Sequence, residues 1–314
     1  MTLLSRVLRA AEGAAAVPAL RIRLFGQFRV ERGQQSLETF GTSRLQELFS
    51  YLLLHRADYH ARDALAGRLW PEEPAGASRK ALRQTLWQLR RILDAGGTSG
   101  EPSGLLVQGD SIGWNDAADV WLDTARLESA SSEVRDAPGA RLDAGQVERV
   151  RDAVTLYRGD LLQGWYQDWC LFERERLQGL YLGLLDKLMA SCEASRRYEE
   201  GIEYGNRVLR VDHARERAHW RLMRLHFLLG DRTAALRQYQ RCAEALQEEL
   251  GVAPSERTEA LYQQIRADRR HQDAERVPLL TVRPRRAVAR RRRLRRAADA
   301  SETVFRRAPD APPV

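Results

Sequence analysis

The chain has 314 residues, of which 43% are hydrophobic, and a formal net charge of +8. This length allows about two domains of roughly 150 residues with real cores, and the composition excludes a disordered chain. No stretch reaches the ~20 apolar residues that cross a bilayer, and Arg6, Arg9 and Glu12 interrupt the N-terminal apolar run that a signal peptide would need. We therefore expect a cytoplasmic protein with no membrane partner.

Motifs that carry catalytic or metal chemistry are missing from the sequence. The three cysteines, Cys170, Cys192 and Cys242, include no CxxC pair, and neither Lys80 nor Lys187 follows a glycine as a P-loop lysine must. No HExxH motif occurs, and the GxSxG match at residues 109–113 lies in the predicted hairpin rather than at the strand-to-helix elbow of a catalytic serine. We expect buried thiols, no cofactor, no metal and no enzymatic activity.

After a leader over residues 1–18, the chain predicts a small antiparallel sheet. Residues 21–30 alternate apolar and polar side chains at the period of a half-buried strand. A turn follows, and Ser36 and Leu37 begin a short partner strand.

Helical spacing of apolar residues then predicts three helices, over residues 43–55, 61–70 and 78–93. Ser43 and Gln46 have the spacing of a capping box at the start of the first helix. Ser78 is placed to cap the third helix, which Gly96 and Gly97 end.

Residues 105–107 and 112–114 flank a turn and predict a β-hairpin. Sheet, three helices and hairpin in this order predict a winged helix over residues 19–123. Because residues 72–77, between the second and third helices, exceed a tight turn, we expect an extended-loop variant.

The second half is predicted to be helical throughout residues 143–270. Its apolar pattern repeats, so that Leu188 corresponds to Leu222, and this offset equals the tetratricopeptide period. Residues 124–142 are predicted to be a linker. The expected fold is therefore mostly α, with an α+β winged helix followed by an all-α, tetratricopeptide-like helical-repeat domain.

Residues 271–314 are predicted to be an arginine-rich disordered tail. From residue 276 onwards the tail holds 12 arginines against three acidic residues, which accounts for the whole net charge. Attraction to phosphates without sequence preference is the alternative role for this tail. The body is nearly neutral, so any argument for nucleic-acid binding depends on where its charges lie.

The third predicted helix has two different faces. Leu82, Leu86, Leu89 and Leu93 fall within one narrow arc and predict the buried face. The opposite arc and its shoulder carry Arg79, Lys80, Arg83, Gln84, Trp87, Arg90 and Arg91. No acidic residue lies between Glu73 and Asp94, so the five positive charges are expected to be uncompensated. A face of one sign favours DNA as the partner, although a solvated basic face is the alternative.

Two groups of segments carry a family resemblance. LRIRLFGQFRV, ELFSYLLLHRADYHARDALAGRLWPEE and SRKALRQTLWQLRRIL resemble the OmpR-type winged helix of the Streptomyces antibiotic regulatory protein (SARP) family. AVTLYRGDLLQGW, DWCLFERERL and RLMRLHFLLGDRTAALRQYQRCAEALQEELGVAPSERTEALYQQI resemble its bacterial transcriptional activator domain (BTAD). The resemblance covers about residues 20–266.

The resemblance implies a transcription regulator, and specifically an activator, that docks its third helix in the major groove of promoter repeats. Carried over by position, the DNA-facing residues are Arg79, Lys80, Arg83, Gln84, Trp87, Arg90 and Arg91. Thr42, Ser43 and Arg44 become phosphate contacts through exposed amides. The implied partners are double-stranded DNA, RNA polymerase and, on repeated sites, a second copy of the chain. Asp110 at the wing tip departs from a basic wing and weakens the case for minor-groove contact.

A second class of function stays open at this point. The chain could be a tetratricopeptide-type interaction scaffold whose winged helix does not contact DNA. The aromatic cluster Trp165, Tyr166, Trp169 and Phe172 is more typical of an interdomain or core contact than of a ligand site. Operator, regulated genes and effector cannot be predicted from the sequence.

Overall fold

The computed structural model describes residues 20–33, 35–37, 40–94, 104–115 and 117–267. The predicted leader and the arginine-rich tail lie outside these residues. The strands are β1 (Leu20–Arg23), β2 (Arg29–Arg32), β3 (Gln35–Ser36), β4 (His60–Ala61), β5 (Leu105–Gln108), β6 (Ser111–Trp114) and β7 (Val120–Leu122). The first three helices are α1 (Ser43–Leu54), α2 (Arg62–Leu69) and α3 (Ala75–Asp94). The others are α4 (Asp123–Glu133), α5 (Ala144–Leu156), α6 (Asp168–Ala194), α7 (Tyr198–Val211), α8 (Glu216–Leu228), α9 (Arg232–Leu250) and α10 (Glu256–Arg266).

The first sheet has the strand order β3-β2-β1-β7, with β1 antiparallel to β2 and parallel to β7. The prediction of one strand over residues 21–30 was wrong, because the chain turns back between β1 and β2. Gly26 adopts a positive φ of 82° in this turn, a conformation that costs glycine little. The buried carboxylate of Asp123 accepts the N–H groups of Leu24 and Phe25 at 2.9 and 3.0 Å, so these amides do not continue the ladder.

The three N-terminal helices and a second sheet form the predicted winged helix. The hairpin of β5 and β6 is confirmed, and β4 pairs with β6 to make a third strand. The side chains of Phe49, Leu65, Leu82 and Ile112 are almost wholly buried in the core. The fold that the sequence predicts for this half is therefore present.

Two predicted helix starts differ from the structure. The N-cap of α1 is Thr42, without a side-chain capping bond, and the Gln46 side chain instead donates to the carbonyl of Phe40. Helix α3 begins at Ala75 rather than near Ser78. The Pro74 carbonyl accepts the first helical N–H bonds, from Ala77 and Ser78, at 2.9 and 3.0 Å. Hydrogen bonds to the Pro74 carbonyl thus begin the helix before Ser78, the residue that the sequence predicted as its cap.

The segment predicted as a linker, residues 124–142, contains most of helix α4. Thr124 and Leu127 are completely buried, and α4 packs against α5 and α6. Beyond α4, the Lys187 ammonium donates to the carbonyl of Ala137 at 2.6 Å. This part of the chain is therefore a packed element between the two halves.

The predicted repeat is confirmed in the second half. Helix α9 begins one tetratricopeptide period after helix α7, and helix α8 ends one period after helix α6. Leu188 and Leu222, which correspond in the repeat, are both fully buried. The result is a tetratricopeptide-like stack in which each helix packs on the next.

Other expectations from composition can be compared with the described residues. The thiols of Cys170, Cys192 and Cys242 are free and buried. Each helix within the described ranges is too short or too polar to span a bilayer.

Candidate nucleic-acid interface

Helix α3 is anchored by one apolar side. Leu82, Leu86, Leu89 and Leu93 are each at most 9% exposed, as their helical spacing predicted. Ser78 and Thr85 are also buried, and their hydroxyls donate to backbone carbonyls one turn earlier in the helix. The polar atoms on the buried side are therefore satisfied within the helix, which leaves the opposite side free to contact a partner.

The outward side of α3 is basic. Its exposed side chains are Lys80, Arg83, Gln84, Trp87, Arg90 and Arg91. Trp87 is 58% exposed, which is unusual for a large aromatic residue. Across the part of the chain that the structure describes, no carboxylate lies within 4.0 Å of the charged groups of Lys80, Arg83, Arg90 or Arg91.

Arg79 is the exception to this free basic side. Its Nε and one terminal nitrogen donate to the two oxygens of Asp63, each at 2.6 Å. This pairing raises the pKa of the Arg79 guanidinium above its usual value. The expectation of uncompensated charge was wrong at this residue. The segment around Arg79 has no acid of its own, but Asp63 reaches Arg79 from helix α2. Since both side chains are 57% exposed, water and salt weaken this pair.

Arg91 and Thr42 lie at the same recess. The Arg91 guanidinium carbon lies 4.8 Å from the centre of the Trp87 ring, a cation–π contact that orders both side chains. A cavity of 520 Å³ lies beside them, and its lining includes Arg91, Gln88, Arg32 and Thr42. The C-terminal half of α3 and the start of α1 therefore border one surface depression.

The start of α1 offers backbone donors. The Thr42 carbonyl accepts the N–H groups of Leu45 and Gln46 at 3.1 and 3.2 Å. The amides of Ser43 and Arg44 precede the first helical hydrogen bond and have no acceptor within a helix. Thr42, Ser43 and Arg44 are all exposed, so an anion can reach these amides.

The side chain of Arg44 is used within the protein. It donates to Glu47 Oε2 at 2.8 Å and to the carbonyl of Leu69 at 2.7 Å. Glu47 is only 2% exposed, and its other oxygen accepts the indole N–H of Trp169 at 3.3 Å. Sequence patterns did not reveal this link between the two halves, because the residues that form it are 122 positions apart.

The wing tip is acidic, as its sequence indicates. Gly109 turns the hairpin with a positive φ of 57°, and the next residue, Asp110, has a side chain that is 76% exposed. Arg62 Nε lies 3.8 Å from the Asp110 carboxylate, and the Arg62 N–H donates to the Asp110 carbonyl at 2.9 Å. These contacts hold the wing against the start of α2 and leave α3 as the basic element.

The predicted aromatic cluster divides into buried and exposed members. Trp169 is 6% exposed and packs edge to face on Tyr51 at 5.4 Å, and Trp165 stacks on Phe28. Both therefore join the winged helix to the repeat half, as expected for an interdomain contact. Tyr166, by contrast, is 79% exposed.

No grouping of three or more histidine, cysteine or acidic side chains within the described ranges is arranged to hold a metal ion. His219 instead has structural partners. Its two ring nitrogens lie 2.8 Å from the His213 carbonyl oxygen and 2.7 Å from the Gln238 amide nitrogen. Burial lowers the pKa of His219, which favours the neutral ring.

Comparison with known proteins finds regulators. The family model of the bacterial transcriptional activator domain matches residues 122–266. Regulatory protein AfsR of Streptomyces coelicolor is 28% identical over 247 residues, which are 79% of this chain and 24% of AfsR. Transcriptional regulatory protein MoaR1 of Mycobacterium bovis is 29% identical over 235 residues, 72% of each chain. The chain thus spans about a quarter of AfsR but most of MoaR1.

A solved structure shares the architecture. Mycobacterium tuberculosis EmbR, in complex with a low-affinity phosphopeptide, matches with a TM-score of 0.66 and 20% identity. The match covers 83% of this chain and 68% of the EmbR chain. At this identity the likeness supports the fold alone.

Proposed function

Because the chain belongs to the SARP family of transcriptional regulators, we propose that it binds promoter DNA through helix α3 and activates transcription. The observation that carries this proposal is the basic side of α3, whose Lys80, Arg83, Arg90 and Arg91 have no carboxylate within 4.0 Å among the described residues. A major groove about 12 Å wide admits one helix, and arginine pairs bidentately with guanine. The family is one of regulators rather than enzymes.

Contacts to bases are assigned to the centre and end of α3. Arg83 and Arg91 are our choices for base edges, and Gln84 can pair with adenine. Lys80 and Arg90 position the helix on phosphates. Arg79 joins them once a phosphate replaces Asp63, because the exposed ion pair is weak in water.

The start of α1 is assigned to the DNA backbone. The exposed amides of Ser43 and Arg44, with Thr42 as N-cap, suit a phosphate oxygen, and the helix dipole adds to the attraction. The Arg44 side chain takes no part, since it is bonded to Glu47 and Leu69. Backbone contacts of this kind set the register of α3 but do not select the sequence.

The helical repeats are assigned to protein contacts. We propose that they contact RNA polymerase, and that two copies of the chain bind adjacent promoter repeats. The stack of α6 to α10 supports this role, because stacked helical pairs present extended binding surfaces. The alternative, a scaffold whose winged helix does not bind DNA, is supported by the nearly neutral charge of the body and by the acidic wing tip at Asp110.

Selection from random duplex DNA at moderate salt tests the proposal against the scaffold. We expect enrichment of a direct or inverted repeat whose half-sites are one helical turn apart, about 10–11 base pairs. The Arg83→Ala chain, run in parallel, should lose the preference at a single position of each half-site. If neither chain enriches a sequence, the scaffold replaces the regulator.

A further inference from the structure

The repeat half carries a second basic surface, which we call the arginine face. It consists of Arg217, Arg221 and Arg224 on α8 and Arg257 at the start of α10. The three residues of α8 are spaced by four and three, so they lie along one side of that helix. Helix α8 contacts both α6 and α10, so the face lies where these three helices meet.

Arg221 is buried without a counter-ion. It is 5% exposed, and one terminal nitrogen donates to the Asp186 carbonyl at 3.0 Å. Its Nε has no hydrogen-bond partner, and no carboxylate lies within 4.0 Å of the guanidinium in the described part of the chain. A guanidinium removed from water without an anion is costly, so an anion supplied from outside would be stabilising.

The acids that lie nearest are already paired. Asp186 Oδ2 accepts from Arg215 at 3.3 Å, and Glu193 accepts from Arg224 at 2.5 Å. Both raise the pKa of Arg221, yet burial and the like charges of Arg217 and Arg257 outweigh them and lower it. The cations at this surface therefore exceed the local acids.

Arg257 is placed among cations. Its guanidinium carbon lies 4.0 Å from the centre of the Trp220 ring, and the side chain is exposed. Burial of part of the group, followed by the charges of Arg217 and Arg224, lowers its pKa, and no acid offsets them. The guanidinium thus rests on an aromatic ring, and no carboxylate of the described residues lies within 4.0 Å of it.

Further buried donors adjoin Arg221. Trp220 Nε1 and Arg215 Nε are both buried and have no hydrogen-bond partner among the described residues. Buried N–H groups are normally bonded, and these three donors have no acceptor within the described part of the chain. A ligand rich in oxygen acceptors would satisfy them.

We propose that the arginine face binds the side-chain carboxylates of an acidic protein segment. Carboxylates match the planar fork of arginine and are thin enough to reach Arg221 and Arg224, which are 5% and 7% exposed. Phosphates of a stiff, wide duplex would reach only the exposed Arg217 and Arg257. The α8 residues span about 10 Å at ~1.5 Å per residue, which two or three acidic side chains of an extended segment can cover.

Binding of a twelve-residue oligoglutamate to the full chain tests this proposal. Calorimetry measures affinity, and hydrogen exchange locates the contact. We expect protection of amides in α8 and α10, and at least tenfold weaker binding at this site in the Arg217→Gln/Arg257→Gln chain. The matched control is Arg126→Gln/Arg237→Gln, which also removes two exposed arginines, one on α4 and one on α9, and should bind like the unchanged chain. An oligoglutamine of equal length should not bind.

Several results would overturn the proposal. One is protection confined to residues beyond 267, because the arginines there, present in every variant, would then be the binder. Another is an equal loss in the Arg126→Gln/Arg237→Gln chain, which would indicate nonspecific attraction between charges. A third is competition by duplex DNA for the contact with α8 and α10, if this binding of DNA is lost when Arg217 and Arg257 are replaced. The Arg83→Ala chain, which is altered in α3, should bind oligoglutamate normally. The outcome of this test therefore does not depend on whether the DNA-binding proposal is correct.

Discussion

The indole N–H of Trp169 donates to the buried carboxylate of Glu47 at 3.3 Å and so joins helix α6 to helix α1. The second Glu47 oxygen holds Arg44, which also bonds the Leu69 carbonyl at the end of α2. The repeat half is thereby connected to the residue that precedes the loop into α3. The helical repeats and helix α3 therefore belong to one continuous packed structure.

Replacement of Trp169 by phenylalanine should weaken this connection. The variant keeps most of the apolar contact but leaves a buried oxygen of Glu47 without its donor, which costs about 1–3 kcal/mol of unfolding free energy. Urea unfolding measures the loss. Tyr166→Phe, at a position that is 79% exposed, should change stability little. Equal stability of both variants would show that the hydrogen bond is not significant.

Release of Arg79 should strengthen DNA binding. Asp63→Asn removes the carboxylate that holds this guanidinium, so Arg79 becomes available to a phosphate. We expect tighter binding at low salt, because Arg79 no longer has to break its ion pair with Asp63 before it contacts a phosphate. Glu248→Gln adds the same net charge on α9 and serves as the control. If both variants tighten binding to the same extent, only the overall charge matters.

The close packing of α7 on its neighbours should make Gly205 intolerant of a side chain. A Cβ there would lie 2.5 Å from Leu222 Cδ2 and 2.7 Å from Met189 Cε, and both of those residues are fully buried. Gly205→Ala should cost about 1–3 kcal/mol by overpacking. Gly179→Ala in α6 meets nothing within 4 Å and should instead be neutral or stabilising. Thermal unfolding distinguishes these two outcomes.

The Asp123 carboxyl should make stability depend on pH. Burial raises its pKa to about 6, against the opposing effect of three backbone N–H donors from Phe25, Leu24 and Thr124. The folded state therefore binds a proton more tightly than the unfolded state. This contribution to stability is complete below about pH 4 and is lost as the pH rises through about 6.

The variant Asp123→Asn isolates this effect. It should be less stable at every pH, because the N–H2 of the new amide would face backbone N–H groups that need an acceptor. Its stability should not show the decline between about pH 4 and 6, because asparagine does not titrate. Chemical denaturation at half-unit pH steps measures both properties. An unchanged decline in the variant would assign the titration to another group.

The residues of α3 illustrate what sequence alone could predict. Leu82 and Leu89 repeat at helical spacing, and the buried and exposed sides follow directly from that pattern. The offset between Leu188 and Leu222 likewise predicted the repeat, because stacked pairs must bury equivalent positions. Periodic local patterns were sufficient for these elements.

Contacts between distant segments were not predictable in this way. Asp63 lies on a different helix from Arg79, and nothing in the spacing of either residue indicates that they meet. Asp123 ends β1 through backbone amides almost one hundred residues earlier, so the alternation over residues 21–30 suggested one strand where there are two. Such contacts depend on tertiary packing rather than on a local period.

The most direct test of the central claim is the affinity of the Arg83→Ala/Arg91→Ala chain for a selected repeat duplex, measured by fluorescence anisotropy at fixed salt. We predict a loss of about 1–3 kcal/mol per base contact, with an unchanged melting temperature. Arg126→Ala/Arg237→Ala removes the same charge from exposed positions outside α3 and should bind normally. Equal affinity of the two double variants would contradict the assignment of α3 as the DNA-binding helix.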